Sequence, residues 1–283
     1  MAKKKRLTQA KGADVAATTF RRALEMAGER PPDTAPIDDK KNYSENLSNA
    51  LSLLLAHKLR TARKRSFKRI LPMADGAGRE SPSASGASKK LKKVDVHYAT
   101  DRTGLELLVS VKTLNFRDVK KKNKKPALNP DGTPVLRRYT KNMVRNDHEL
   151  RAEAEDHHER FPYAVLVAVF FLPRDASEDA SSRPNDVSSF GHAVRTLRGR
   201  AGRRSPDGPK AKFERVFIGL YTKEDVGFFD VMDAPPRKGC PPWPGEPSDP
   251  KRGSTLLTLD EMVEAICREY EARNRGYIEW ADD

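Results

Sequence analysis

The 283-residue sequence predicts an α/β fold, in which a mixed β-sheet of about five strands is flanked by helices. Three observations support this fold class. Leucines recur at three- and four-residue spacing between Leu47 and Leu59. Apolar and polar residues alternate over residues 94–98, and residues 163–172 form a nearly continuous apolar run. The length suits one large domain or two small ones, and we expect one domain with insertions.

The start of the chain is mostly polar. We therefore expect residues 1–40 to form a flexible basic N-terminal arm ahead of a single domain at residues 41–283. The arm contains a short candidate helix at residues 19–27 and then a proline-rich connector. Its first residues, MAKKKRLTQAKG, are compatible with a nuclear signal and with an arm that touches phosphates. A long helix is expected to begin at Asn42 or Ser44, with its leucines facing the core.

The middle of the chain is predicted to form a β-hairpin followed by a second long helix. Residues 94–98 and 105–114 alternate as strands do, and the residues between them supply turn chemistry. The helix is expected over residues 141–160. Mobile loops are expected near residues 74–92, 117–138 and 174–212, where glycine, serine or basic residues are concentrated.

The second half of the chain begins with the apolar run at residues 163–172. This run is rich in valine and aromatic residues, which is typical of a central strand buried on both faces. Two further strands are expected at residues 213–221 and 227–232. A last helix follows, where Thr258 and Glu261 form a candidate capping box.

The composition favours a nucleic-acid partner. The chain has 54 Lys and Arg against 40 Asp and Glu, which gives a formal charge of +14 and attracts polyanions. Cys240 and Cys267 have neither CxxC nor Cys/His spacing, so a disulfide framework and a structural zinc site are not expected. No apolar run approaches the roughly 18 residues of a membrane span. We therefore expect a soluble cytoplasmic protein with no membrane partner.

The predicted hairpin brings an acid and a lysine together. If the turn lies midway between the strands, Asp95 and Ser110 are roughly opposite one another. Because side chains alternate along a strand, Lys112 lies on the same face as Ser110, and so does Glu106. A carboxylate can hold a hard divalent cation, and a nearby ammonium can orient a water molecule or stabilise charge on a phosphate. These residues therefore predict phosphodiester hydrolysis.

The stretch VDVHYATDRTGLELLVSVKT resembles the PD-(D/E)XK nuclease superfamily. In that family, an Asp on one strand is followed by an acid, any residue and a Lys on the next strand. The order of helix, loop, hairpin, helix and buried strand over about residues 42–172 is similar as well. The resemblance implies a restriction-endonuclease-like fold, with Asp95 as a metal ligand and Lys112 as the catalytic lysine. It also implies Mg²⁺ as the cofactor and double-stranded DNA as the substrate.

One position departs from the family pattern, because Ser110 stands where the second acid is expected. Glu106 lies on the same predicted face, but four strand residues correspond to about 13 Å, which is too far for a direct replacement. Some members of the superfamily resemble this case in taking the missing carboxylate from a neighbouring helix. We expect Glu45 to be the metal-binding donor here, with Glu149 and Glu153 as substitutes. If none of them reaches the metal site, a non-catalytic protein that binds DNA or RNA is the alternative.

Basic segments supply the candidate nucleic-acid contacts. At the start of the second long helix these are Lys141, Asn142 and Arg145, near the positive end of the helix dipole. In the basic loop before that helix they are Lys120, Lys121 and Lys122. An ordinary solvated helix face explains Lys141, Asn142 and Arg145 equally well. The arginine-rich residues 195–204 are a further candidate for backbone contact, with a disordered insertion as the alternative. We interpret the chain as a type II-like restriction endonuclease, for which a homodimer would match the two-fold symmetry of duplex DNA.

Overall fold

The computed structural model of the protein describes residues 17–63, 67, 69–78, 94–123, 125–140, 142–183, 185–234, 236 and 239–274. Its helices are α1 (Phe20–Ala27), α2 (Ile37–Ala62), α3 (Met143–Arg160), α4 (Ser189–Arg198) and α5 (Leu259–Asn274). Its strands are β1 (Val96–Thr100), β2 (Gly104–Thr113), β3 (Lys121–Lys122), β4 (Lys125–Pro126), β5 (Val165–Pro173), β6 (Arg215–Tyr221) and β7 (Val226–Asp230). None of the described helices is long and apolar enough to cross a membrane.

Within the described residues, five strands form one sheet in the order β1, β2, β5, β6, β7. The central strands β2, β5 and β6 are parallel, and β1 and β7 pair antiparallel at the two edges. Helices α1, α2 and α5 pack on one face, and α3 and α4 pack on the other. The predicted α/β class, a mixed sheet of about five strands flanked by helices, is confirmed.

Strand β5 lies at the centre of the sheet, as its apolar run predicts. Eight of its nine residues are buried. Val167 and Phe171 contact the core beneath α1, α2 and α5, whereas Leu166 and Phe170 contact the core beneath α3 and α4. A strand that is covered on both faces needs no polar alternation, which explains the continuous apolar sequence.

The described part of the predicted arm is packed, which corrects the prediction of a flexible segment for residues 17–40. Phe20 and Ala23 of α1 are buried in the main core. The ring of Phe20 stacks on that of Phe171 with 6.5 Å between the centroids. The polar composition of this segment concealed the short apolar face of α1. Residues 1–16 lie outside the described residues.

Helix α2 begins earlier than the sequence predicts. Its first residue is Ile37 rather than residue 42 or 44, so the domain boundary expected at residue 40 falls inside a helix. Pro36 precedes the helix, and Asp38 and Asp39 lie in its first turn. Proline is well tolerated at a helix start, and acids there favour the helix dipole. The connector therefore ends in a helix start signal.

Two of the three predicted mobile loops contain regular structure. Residues 117–138 include β3 and β4, which pair antiparallel. Residues 174–212 contain α4, whose apolar face is buried against the sheet. The Arg, Gly and Ser residues around this short helix concealed its spacing. Of the loop predicted near residues 74–92, residues 79–92 lie outside the described part of the chain.

A β-bulge in the hairpin changes the face on which Glu106 lies. The register shifts between Tyr98 and Ala99, so that Glu106 is an extra residue on β2. Glu106 is buried, and its Oε2 atom accepts a hydrogen bond of 2.6 Å from the hydroxyl of Tyr270 on α5. The prediction that Glu106 shares a face with Lys112 is therefore wrong, because the bulge interrupts the alternation of side chains.

The C-terminal third follows the sequence prediction closely. The two strands expected after residue 212 are present as β6 and β7. The capping box at the start of α5 is confirmed as well. The backbone N–H of Thr258 donates to Glu261 Oε2 at 2.7 Å, and the backbone N–H of Glu261 donates to Thr258 Oγ1 at 3.1 Å.

Candidate active site

A cleft of about 560 Å³ opens between the β1–β2 hairpin and helix α3. The segment before β1, the end of β2, one face of α3 and one residue of α2 form its walls. The lining residues are Ser48, Val94, Asp95, Val111, Lys112, Glu149, Ala152, Glu153 and His157. The cleft therefore contains Asp95 and Lys112, the two residues on which the sequence prediction depends.

Asp95 lies directly before β1, at the open end of the hairpin. Its Oδ2 atom accepts a hydrogen bond of 2.8 Å from the backbone N–H of Val111. Val96 pairs with Val109, and this register continues to place Asp95 opposite Ser110, in agreement with the expected pairing. The hydrogen bond ties the Asp95 carboxylate to the strand that bears the lysine.

Glu153 on α3 meets both polar residues of the motif on β2. Its Oε2 atom accepts a hydrogen bond of 2.9 Å from the Ser110 hydroxyl and lies 3.2 Å from Lys112 Nζ. Ser110 is buried, and the side chains of Lys112 and Glu153 are 23% and 21% exposed. Helix α3 therefore brings a carboxylate to the strand position at which the family pattern has an acid and this chain has a serine.

Lys112 is surrounded by carboxylates. Burial by itself would lower the pKa of Lys112, but Glu153, Asp95 and Glu149 together raise the pKa above the usual value for a lysine. The side chain is therefore an ammonium ion throughout the physiological pH range. It can donate hydrogen bonds to water or to a phosphate oxygen, but it has no lone pair with which to act as a base.

Glu45, the carboxylate preferred from the sequence, is not part of this cleft. Its side chain is 61% exposed, and its Oε1 atom lies 3.8 Å from the Nζ atom of Lys41. Because α2 starts at Ile37, residue 45 falls in the third turn of the helix, and Ser48 is the residue of α2 that lines the cleft. The structure places Glu153, rather than Glu45, beside Lys112.

The other substitute, Glu149, lies one helical turn before Glu153 and lines the same cleft. Its Oε1 atom accepts a hydrogen bond of 2.7 Å from Arg145 Nε on the exposed side of α3. Glu149, Glu153 and His157 are spaced four residues apart and therefore share one helix face. This spacing is the signal from which the sequence could have assigned that face of α3 to the site.

Two buried histidines interact near this end of the hairpin, and of the two only His157 lines the cleft. His157 lies on α3, and His97 on β1 is only 1% exposed. Burial lowers the pKa of His97 to about 4, and the charge of His157 acts in the same direction. The His97 ring is therefore neutral at physiological pH.

A second cleft, of about 640 Å³, adjoins the first along α3. Its lining residues are Thr140, Asn142, Val144, Arg145, His148, Glu149 and Ala152, of which the last two line both clefts. Two of the predicted nucleic-acid contacts, Asn142 and Arg145, therefore lie next to the candidate active site. Lys141 lies outside the described residues. Lys120, Lys121 and Lys122 are exposed on another part of the surface and line neither of these two clefts.

Asp95 and Glu153 provide oxygen donors of the kind that Mg²⁺ prefers. In the part of the chain that the structure describes, no group of three or more His, Cys, Asp or Glu side chains is arranged to hold a metal ion. Mg²⁺ usually binds one or two carboxylates and completes its coordination with water and substrate phosphates. The two carboxylates fit that mode of binding, in which the substrate supplies part of the coordination.

No protein-family model, characterised protein or solved structure matches this chain significantly. The likeness to the PD-(D/E)XK superfamily therefore stays a prediction from the sequence. The function has to be argued from the geometry of the cleft.

Proposed function

We propose that the protein has a restriction-endonuclease-like fold and is a Mg²⁺-dependent DNA endonuclease of the type II-like restriction class. The position of Glu153 is the observation that supports this proposal best. One of its carboxylate oxygens lies 2.9 Å from the Ser110 hydroxyl and 3.2 Å from Lys112 Nζ, in the cleft that also contains Asp95. Two carboxylates can hold the metal ion for hydrolysis of a phosphodiester, and a protonated lysine can stabilise the charge of its transition state.

Each of these side chains has a distinct role in the proposed reaction. Asp95 and Glu153 would hold the Mg²⁺ ion, which when bound would supply Lewis-acid stabilisation of the phosphate and a more acidic water. Ser110 positions Glu153 through the hydrogen bond to Oε2. Lys112 donates hydrogen bonds to the attacking water or to a phosphate oxygen. Its charge stabilises the additional negative charge of the transition state.

Double-stranded DNA is the substrate that we infer. The formal charge of +14 favours a polyanion, and Asn142 and Arg145 line the cleft that adjoins the proposed centre. Contacts from such residues to phosphates set the position of a protein on DNA. A homodimer would place one centre on each strand of a two-fold symmetric site. Restriction of foreign DNA in the cytoplasm is the biological role that we propose for this activity.

A non-catalytic protein that binds DNA or RNA is the second candidate. Ser110 favours it, because the motif itself lacks the second carboxylate and Glu153 is already engaged by Ser110 and Lys112. Such a protein would bind nucleic acid with a strong dependence on salt and would not cleave it in the presence of any metal ion. The two candidates therefore differ in one measurable property, the hydrolysis of the phosphodiester bond.

Cleavage of plasmid and phage DNA, with Mg²⁺ and with a chelator, tests the proposal. Discrete fragments that require Mg²⁺ are expected from the wild type. Lys112→Ala and Glu153→Gln should each reduce the cleavage rate by about 10²-fold or more, because each removes a charge from the centre. Glu155→Gln is the matched control, since Glu155 also lies on α3 but pairs with Arg151 at the surface, and this variant should cleave at the wild-type rate.

Glu45→Gln distinguishes the two carboxylate donors. We expect cleavage close to that of the wild type, because Glu45 lies outside the cleft. Loss of cleavage in Glu45→Gln together with normal cleavage in Glu153→Gln would reverse the assignment. Binding of DNA without cleavage in Mg²⁺ or Mn²⁺ would replace the nuclease with the non-catalytic protein.

A further inference from the structure

Residues 118–137, between β2 and α3, form a small β-ribbon. Strands β3 and β4 pair antiparallel. A third extended segment joins them, because the backbone N–H of Lys120 donates to Val135 O and the backbone N–H of Val135 donates to Ala127 O, both at 2.8 Å. We call residues 118–137 the ribbon.

The ribbon has an unbalanced positive charge. Its sequence contains six Lys or Arg against two Asp. The side chains of Lys120, Lys121, Lys122 and Lys125 are exposed, and among the described residues none of these four lysines forms an ion pair. The ribbon sequence contains no aromatic residue, which argues against a platform for stacking single-stranded bases. An external polyanion is therefore the partner that its charge fits.

The ribbon has no core of its own. None of its described residues is buried, and Leu128 is 60% exposed. Short strand pairs without a packed face are marginally stable in water. The conformation of the ribbon therefore depends on its two ends and on what it contacts.

Two arginines fix those ends to the rest of the domain. Arg117 precedes the ribbon, and its guanidinium lies 2.5 Å from the carboxylate of Asp175, which follows β5. Arg138 follows the ribbon and forms two hydrogen bonds with the carboxylate of Asp186, before α4. Asp175 and Asp186 adjoin β5 and α4, which are part of the packed domain. These two ion pairs therefore fix the position of the ribbon relative to the candidate active site.

The spacing of two residues on α2 sets the scale for the separation between the two regions. Lys40 of α2 and Lys121 of the ribbon line a third cleft, of about 610 Å³. Ser48 of the same helix lines the candidate active site. Ser48 follows Lys40 by eight residues, which is about 12 Å along a helix axis. At about 3.4 Å per base pair, this separation corresponds to about three to four base pairs of duplex DNA.

We propose that the ribbon binds the backbone of duplex DNA on one side of the cleavage site, about three to four base pairs from the cleaved phosphate. The distance to the cleaved phosphate rests on the proposed nuclease function, whereas the binding itself does not. A two-stranded ribbon fits the major groove of B-DNA. Lysine ammonium groups act as point charges toward phosphates, and the absence of aromatic residues in the ribbon sequence favours a duplex over a single strand.

Salt-dependent binding to duplex DNA, measured on the full chain with a chelator, tests the ribbon without catalysis. Lys121→Ala/Lys122→Ala is compared with Lys223→Ala/Lys251→Ala, which removes the same charge from two exposed positions outside the ribbon. The ribbon variant should reduce the slope of log K against log salt by about 2, since each phosphate contact contributes about 0.9. The control variant should change the slope by less than about 0.5. Equal changes in both variants, or tighter wild-type binding to single strands or RNA, would overturn the proposal.

Duplexes with flanks of different length beside the cleavage site test the location. With flanks shorter than about three base pairs, the wild type and the ribbon variant should bind equally, and with longer flanks the wild type should bind more tightly. A difference that is independent of flank length would overturn the proposed location. The wild type could have the steeper salt dependence expected from the ribbon lysines and yet never cleave DNA. That result would overturn the proposed nuclease function but leave the ribbon as a DNA contact.

Discussion

The ribbon and residues 195–204 are both dense in basic residues, yet the fold gives their charges different partners. In the ribbon, the four exposed lysines form no ion pair within the described residues. In residues 195–204, Arg200 binds Asp147 on α3, and Arg203 binds Glu214 before β6. The expectation that this second segment contacts a nucleic-acid backbone is therefore corrected for these two arginines. The two segments therefore differ in whether the fold places carboxylates beside their basic side chains. We call the paired arginines and their acids the internal scaffold.

Arg203 shows how much of the second segment is used inside the molecule. Its side chain is buried and lies 2.8 Å from Glu214. The same guanidinium donates to the backbone carbonyls of Pro162 and Pro206 at 2.9 and 2.6 Å. Arg273 on α5 approaches the same Glu214 oxygen at 3.1 Å. A planar guanidinium can serve several acceptors at once, whereas a lysine offers a compact point charge, so the choice of residue type agrees with the two uses.

The largest effect that the comparison predicts is the loss of stability in Arg203→Ala. Breaking a buried ion pair costs about 3–5 kcal/mol when the remaining charge has no other partner. Because Arg273 still contacts Glu214, the free energy of unfolding should fall by about 3 kcal/mol, at the lower end of that range. Arg204→Ala is the matched control, because the neighbouring side chain is exposed, and it should change the free energy by less than about 0.5 kcal/mol. Denaturant titration at neutral pH measures both. Equally small losses would show that the buried arginine is not part of the scaffold.

Glu214 gives the internal scaffold a dependence on pH. Burial by itself would raise the pKa of Glu214, but His158, the backbone N–H of Leu166 and Arg203 hold the pKa below its ordinary value. The folded state therefore gains stability above the ordinary carboxyl pKa of about 4.3, and it loses that stability as the pH falls through the lower folded value. The difference in denaturation midpoint between the wild type and Glu214→Gln should shrink below about pH 4. A difference that is constant down to strong acid would contradict this role of Glu214.

A smaller loss is expected at the link between the second segment and α3. Arg200 forms two hydrogen bonds with Asp147, at 2.6 and 2.7 Å, and its side chain is 21% exposed. Because the pair is partly solvated, Arg200→Ala should reduce the free energy of unfolding by only about 1 kcal/mol. A double-mutant cycle with Asp147→Ala isolates the interaction. A coupling energy of zero would remove Arg200 from the internal scaffold.

The fold class could be predicted because the elements that define it have strong local periodicity. The leucines of α2 and the apolar run of β5 are visible in any window of the sequence. The bulge at Glu106 could not be predicted, since its side chain is stabilised by Tyr270, which lies 164 residues further along the chain. The helix at residues 189–198 was missed for a related reason. Its few apolar residues become informative only when the sheet beneath them is known.

In the candidate site, as in the fold, the local contacts could be predicted and the long-range ones could not. Asp95 and Lys112 are neighbours through one local hairpin, so their spacing in the sequence was sufficient to bring them together. Glu153 meets Ser110 across 43 residues, through the packing of α3 against the sheet. The sequence therefore offered three carboxylates and favoured Glu45, because it placed that residue near the start of the first long helix. Glu153 is identified only by the structure, in which its face of α3 packs toward β2 and Glu45 is exposed on α2.

The smallest predicted effect on the free energy of unfolding is in the ribbon, and it is a gain in stability rather than a loss. Lys122 lies directly opposite Lys125 in the β3–β4 pair, and like charges in that position destabilise a strand pair. Lys122→Ala should therefore raise the free energy of unfolding by about 0.2–0.5 kcal/mol. This gain should disappear at high salt. Denaturant titrations at low and high salt measure the change. A loss of stability in Lys122→Ala would mean that the lysine has an internal partner, as Arg203 does. A small gain would mean that the ribbon retains its charge against its own stability, which is expected of a surface that meets its partner outside the molecule.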